Sequence, residues 1–170
     1  MKKTTLSGLL MFILALFTIV GCSGNSDDET QPTTATVKIM SLGTSTQIGG
    51  IDFSVVLPAG VTVKATSDTE NPSVQVTNSG VVVASGMAAG ANTNTLATYT
   101  AATSAAPGKV MVQAANANGF GTGEFVTINC DITAGSYPNA TDFTVTLVKA
   151  VDITGGSIDG LTVGNTAEIK

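Results

Sequence analysis

Any catalysis by this chain would depend on carboxylates, lysines or a thiol, because the sequence contains no histidine. Histidine is the side chain that most often moves protons near neutral pH. Two carboxyl groups about 5 to 9.5 Å apart would suit glycoside hydrolysis, and Asp52 and Glu124 are the acids that a folded sheet could bring together. Each alternates with apolar residues, so we expect both to point into solvent. The sequence therefore predicts a protein that is not an enzyme.

Oxygen-bearing side chains also cluster late in the chain, where Asp152, Thr154, Ser157 and Asp159 surround a pair of glycines. Ca²⁺ prefers oxygen ligands, but this spacing is not that of an EF-hand loop. Acidic residues flanking glycines are more typical of a turn. We therefore predict a turn without a metal or other cofactor, and calcium stays an alternative.

The residues that could stack against a sugar ring are few, because the chain has two tyrosines and no tryptophan. Tyr99 ends a threonine-rich segment, and Tyr137 precedes a proline in a connection. Either ring could act as a binding platform if exposed, although tyrosines in such places are often partly buried. Both tyrosines are kept as alternative sugar-binding residues.

The composition is that of an exported β-protein with few charges. Charged residues make up 11% of the chain, against about 25% in an average domain. The formal charge is −5, with seven lysines and twelve acids. This acidic balance argues against a nucleic acid partner.

The first 22 residues have the pattern of an export signal. Lys2 and Lys3 precede an apolar segment, Leu9 to Val20, which ends at Gly21 and Cys22. The apolar segment is shorter than the roughly 20 residues that a membrane-spanning helix needs. Without Lys2 and Lys3, five lysines face twelve acids, giving a formal charge of −7.

The tetrad Ile19, Val20, Gly21, Cys22 resembles the lipobox of bacterial lipoproteins. The resemblance implies cleavage after residue 21, a covalent lipid on Cys22, and attachment to a membrane. Two or three acyl chains are enough for stable anchoring. Ser23 is not the aspartate associated with inner-membrane retention, so outer-membrane placement is favoured in a cell with two membranes.

The remainder divides into a spacer and one domain. Residues 22–33 are polar and acidic, which predicts a flexible linker. Residues 34–170 suffice for a single core without a disulfide. With Cys22 lipidated, we expect Cys130 to be a buried, inert thiol.

Apolar residues recur in residues 34–170 with a period of two, between glycine and proline turns, and predict an all-β sandwich of the jelly-roll type with about nine strands. The predicted inward positions are Val37 and Ile39; Ile51, Phe53, Val55 and Leu57; Val61 and Val63; Val74 and Val76; Val81 and Val83; Leu96 with Thr98; Val110, Val112 and Ala114; Val126, Ile128, Cys130 and Ile132; Phe143, Val145 and Leu147; and a weak last pair near Ile153 and Ile158 to Val163.

Three segments of this domain resemble the cohesins, the β-sandwich modules that bind dockerins in cellulose-degrading assemblies. They are Gly49 to Val55, Gly119 to Ile132 and Ala134 to Leu147. The resemblance implies a sandwich that binds a protein partner through a sheet face, with Asp52 matching an aspartate on that face. A departure from the pattern is Leu57-Pro58-Ala59, where cohesins usually carry a tyrosine-aspartate-proline turn.

Taken together, these features predict a noncatalytic, lipid-anchored binding module outside the cytoplasm. The expected partner is a protein that a sheet face of cohesin type recognises. One alternative is a carbohydrate-binding module linked to polysaccharide breakdown. Another is a structural envelope lipoprotein that binds nothing tightly.

Overall fold

The computed structural model describes residues 30–43, 46–66, 73–77, 79–90 and 92–170. Cys22, the signal segment and most of the predicted linker lie outside these residues. The described residues form ten strands and two short 3-10 helices, Gly86–Ala88 and Ala140–Asp142. The strands are β1 Thr34–Leu42, β2 Ile48–Val56, β3 Val61–Val63, β4 Ser73–Gln75, β5 Val82–Ala84, β6 Thr93–Thr100, β7 Lys109–Phe120, β8 Gly123–Ile132, β9 Thr144–Asp152 and β10 Thr162–Ile169.

The strands build two five-stranded sheets in which every pairing is antiparallel. The first sheet has the order β10-β1-β8-β3, and β5 also pairs with β8. The second sheet has the order β4-β6-β7-β2-β9. One apolar core lies between them, so the predicted all-β sandwich is confirmed. No helix among the described residues has the length and apolarity to cross a membrane.

The centre of the core contains three phenylalanine rings. Phe53 of β2 meets Phe125 of β8 edge to face, with 5.3 Å between ring centroids. Phe120 at the end of β7 stacks on Phe125 at 5.8 Å. Because β2 and β7 belong to one sheet and β8 to the other, this cluster joins the two layers.

Strand β7 shows how the period of two produces the sandwich. Val110, Val112 and Ala114 are buried, whereas Lys109, Met111 and Gln113 are exposed. Successive side chains of a strand point to opposite faces, so β7 packs one face on the core and presents the other to solvent. The predicted inward faces of β1, β2, β3 and β8 are confirmed by the same burial pattern.

Three predicted strand faces are wrong wholly or in part. In β6 the buried residues are Ala97 and Tyr99, whereas Leu96 is 44% exposed. At β5 Val83 points outward and Val82 is buried, although Val81, directly before the strand, is buried as predicted. The last strand is Thr162–Ile169, so Val163 lies in it and packs against the core as predicted, whereas the exposed Ile153 belongs to a turn.

Cys130 is the buried thiol that the sequence predicts. It is 2% exposed and points from β8 into the core. Burial raises the pKa of this thiol to about 12, and the neighbouring Asp131 charge adds to the increase. Since the thiolate is the reactive form of cysteine, Cys130 is unsuited to nucleophilic chemistry.

A bulge at Gly49 brings β2 and β9 unusually close together. The register of β2 with both neighbouring strands shifts between Ile48 and Gly50. A Cβ atom at residue 49 would lie 2.5 Å from the backbone oxygen of Asp152 and 2.8 Å from the Cα of Ile153. The contact therefore requires glycine at this position.

Candidate binding surface

The two outer faces of the sandwich differ in whether their charged side chains form ion pairs. On the first sheet, Lys38 Nζ lies 3.4 Å from Glu124 Oε2, and Thr127 Oγ1 lies 3.4 Å from Glu124 Oε1. A hydrogen bond from Ser85 lowers the pKa of the Glu124 carboxyl, and the Lys38 charge lowers it further. Lys170 and Glu168 also form an ion pair, at 2.8 Å. Much of the charge on this face is thus paired within the domain.

Asp52 and Glu124 do not come together. Asp52 lies on β2 of the second sheet, whereas Glu124 lies on β8 of the first sheet and pairs there with Lys38. Both point outward, as predicted, so the core separates them. The paired carboxylates that glycoside hydrolysis needs are therefore not formed by these two acids.

The register of the second sheet places four side chains in one row across its outer face. Leu96 of β6 is opposite Gln113 of β7, Gln113 is opposite Asp52 of β2, and Asp52 is opposite Lys149 of β9. Gln113 Nε2 donates a hydrogen bond of 3.4 Å to Asp52 Oδ2. Asp52 thus lies at the middle of the sheet with one long hydrogen bond from its neighbour Gln113.

The next row along the strands has almost no side-chain bulk at its centre. It contains Asn94, Ala115, Gly50 and Val151. Gly50 and Ala115 lie on the two central strands, so the surface sinks between the side chains of β6 and β9. The result is a groove of about 380 Å³, which is within the usual size range of ligand sites. The lining residues are Gly50, Ile51, Asp52, Asn94, Thr95, Leu96, Gln113, Ala114, Ala115, Lys149 and Val151.

The charged groups of this groove have no ion-pair partner. Among the described residues the ion pairs are Lys38 with Glu124 and Lys170 with Glu168. Asp52 and Lys149 therefore face each other across neighbouring strands without a salt bridge. Asp52 is half-buried, whereas Lys149 is exposed on the edge strand.

The two tyrosines do not contribute to the groove. Tyr99 is 4% exposed because its ring points from β6 into the core, and this burial raises the pKa of its hydroxyl. The alternative prediction that Tyr99 is an exposed sugar platform is therefore wrong. Tyr137 is 61% exposed, but it lies between β8 and β9, near the end of the sandwich where β2 finishes. The groove lies nearer the start of β2.

The acidic loop after β9 forms a hydrogen-bonded turn, as the sequence predicts. Asp152 Oδ1 accepts hydrogen bonds from the backbone nitrogen of Thr154 at 2.7 Å, from Thr154 Oγ1 at 2.7 Å and from the backbone nitrogen of Gly156 at 2.9 Å. The described residues contain no group of three or more acidic, cysteine or histidine side chains that could hold a metal ion. The Asp152 carboxylate instead serves the turn.

The stability that this turn provides should depend on pH. The Thr154 and Gly156 donors lower the pKa of Asp152 below its ordinary value of 3.8. Because the folded-state pKa is depressed, the stabilisation is present above pH 3.8 and is lost as the pH falls through the folded-state value. We expect Asp152→Asn to be less stable than the native protein at neutral pH, and this difference in stability to become smaller as the pH falls below 3.8. Urea denaturation at about pH 7 and about pH 2.5 measures this, and an equal difference at both pH values would contradict it.

Most groove residues were not identified from the sequence. Asp52 was singled out, but Gly50, Ala115, Gln113 and Lys149 were not. Gly50 and Ala115 lie far apart in the chain and become neighbours only through the register of β2 with β7. The outward phase of β7, visible in the alternation, is the one local signal that could have found Gln113 and Ala115.

Comparisons with protein-family models, with curated proteins and with solved structures give no match to this chain. The geometry of the second sheet therefore provides the basis for a functional proposal.

Proposed function

We propose that this protein is a noncatalytic, lipid-anchored binding module of cohesin type that recognises a protein partner through the outer face of its second sheet. The groove around Asp52 is the single observation that carries the proposal. It combines a concave surface, a half-buried carboxylate without an ion-pair partner and the exposed apolar side chain of Leu96, and the exposed Met111 lies beside it on the same outer face. Protein interfaces commonly join an apolar centre to hydrogen-bonding groups in this way.

The lining of the groove favours a protein over a polysaccharide. None of its lining residues is aromatic, whereas sugar recognition commonly uses an exposed ring. Tyr99 is buried, and the exposed Tyr137 lies outside the groove. The lipobox resemblance of Ile19 to Cys22 supports anchoring through a covalent lipid on Cys22. We place the domain outside the cytoplasm and favour the outer membrane.

Filling the groove should abolish partner binding while the fold is retained. Ala115 is exposed on β7, so Ala115→Trp adds an indole over Gly50 without entering the core. The full-length protein would be immobilised, and partners would be captured from an envelope extract of the producing cell. We expect recovery of the bound protein to fall at least about tenfold, because the indole occupies the space that the partner would fill.

The matched control is Thr166→Trp, which places the same ring on the outer face of β10 in the first sheet. Its recovery should equal that of the native protein. Equal loss in both variants, or no loss in Ala115→Trp, would contradict the proposal. Calorimetric titration with polysaccharides tests the alternative, because heat that disappears in Tyr137→Ala would indicate a carbohydrate-binding module.

A further inference from the structure

The carboxylate of Asp52, which has no ion-pair partner, indicates what kind of partner side chain the groove can bind. Asp52 lies on a central strand, is half-buried, and accepts a hydrogen bond of 3.4 Å from Gln113 Nε2. That distance is at the long end for such a bond. A carboxylate can accept about four hydrogen bonds, so Asp52 retains capacity for a stronger, charged donor.

The shape beside Asp52 fits a long side chain with a charge at its end. From Asp52 the floor continues over Gly50 and Ala115, with Asn94 and Val151 at its sides and Leu96 opposite Gln113. The floor itself is apolar. Lysine and arginine side chains place an aliphatic stem on apolar surface and keep the cation at a polar group. The groove therefore has both elements that a basic side chain needs.

Charge favours a cation over an anion at this position. The chain has a formal charge of −5, so its field attracts basic partners. The one lysine among the lining residues, Lys149, has a long, exposed side chain on the edge strand β9, whereas Asp52 has a short side chain and is half-buried on the central strand β2. The short, half-buried carboxylate is the better preorganised of the two groups, since less side-chain freedom is lost when it binds.

We propose that the protein partner inserts an arginine or lysine into the groove, with its aliphatic stem over Gly50 and Ala115 and its cation on the Asp52 carboxylate. This proposal rests on the proposed function and adds the chemistry of the anchoring side chain. Arginine suits the site best, because its planar guanidinium can donate two parallel hydrogen bonds to one carboxylate.

Blocked tripeptides provide a direct probe. The full-length protein in detergent micelles, labelled with ¹⁵N, would be titrated with acetyl-Ala-Arg-Ala-amide, with the Glu peptide and with the Gln peptide. We expect the Arg peptide to shift the backbone amide signals of Gly50 and Ala115, and the Glu and Gln peptides to leave them unchanged. In Asp52→Asn the affinity for the Arg peptide should fall about tenfold or more.

The control is Asp159→Asn, which removes the same charge from an exposed residue outside the groove. It should bind the Arg peptide like the native protein. Absence of Arg-dependent shifts, equal affinity in Asp52→Asn, or binding of the Glu peptide that disappears in Lys149→Met would each overturn the basic anchor. If Ala115→Trp nevertheless loses its captured partner, the second sheet stays the recognition face and the cationic anchor alone is wrong.

Discussion

Replacing Phe53 by alanine is expected to lower the free energy of unfolding by about 3 to 5 kcal/mol. Phe53 is fully buried, and its ring meets Phe125 from the opposite sheet at 5.3 Å. The substitution removes buried apolar surface and leaves a cavity between the layers, since the surrounding backbone relaxes only in part. The loss should be visible in urea denaturation followed by circular dichroism.

A conservative variant tests whether the loss of stability comes from the cavity or from any substitution of Phe53. Phe53→Leu keeps most of the apolar volume, so its cost should be clearly smaller than that of Phe53→Ala. If Phe53→Ala costs less than about 1 kcal/mol, the ring does not occupy the centre of a packed core. That result would contradict the arrangement of the two sheets around Phe53 and Phe125.

The second large effect is expected at the bulge, where Gly49→Ala should destabilise the domain by about 1 to 3 kcal/mol. The new methyl group would lie 2.5 Å from the backbone oxygen of Asp152. A backbone atom cannot move aside as a flexible side chain can, so β2 and β9 must separate locally. Because Gly50 and Val151 come directly after and before these residues, the groove should widen as well.

Gly164→Ala is the matched control for Gly49→Ala. Gly164 lies in the edge strand β10, and no heavy atom lies within 4 Å of the position that its Cβ would occupy. Alanine there should be neutral or slightly stabilising, because it restricts the unfolded chain. Thermal denaturation of the two variants side by side measures the difference. Equal stability of Gly49→Ala and Gly164→Ala would show that β2 and β9 do not approach closely at the bulge.

Much of the sandwich could be predicted because its central strands alternate strongly. In β2, β7 and β8 the inward residues are Val, Ile, Phe, Ala or Cys, and the outward residues are mostly polar. The prediction of one β-sandwich needs only this period and the turns between strands. Cys130 was placed correctly for the same reason, since it shares the inward phase of Ile128 and Ile132.

The phase of β6 could not be predicted from its own residues. Leu96 is the most apolar residue of the segment, so local hydrophobicity favours an inward Leu96. The neighbouring strand decides otherwise, because Ala97 and Tyr99 are opposite Val112 and Val110, which are both buried. Leu96 is consequently placed opposite Gln113 on the outer face, and an error of one residue moves every side chain to the other face.

Strand β10 was predicted only as far as Val163, because an edge strand buries little apolar surface. Its inward residues include Val163, Ala167 and Ile169, which are half-buried, and Asn165 shares their phase. Such a segment lacks the strong alternation that marks β2 or β7. The groove is harder to predict than the strand, since its floor depends on pairing Gly50 with Ala115 across the sheet.

The recognition face is tested most directly by site-specific photocrosslinking in the producing cell. A benzophenone amino acid would replace Met111, which lies beside the groove, in one full-length variant and Thr166 on the first sheet in another. Both residues are exposed and lie on outer faces. We predict a crosslinked product of one discrete mass from position 111 and none from position 166. The reverse pattern, or the same product from both positions, would contradict recognition through the second sheet.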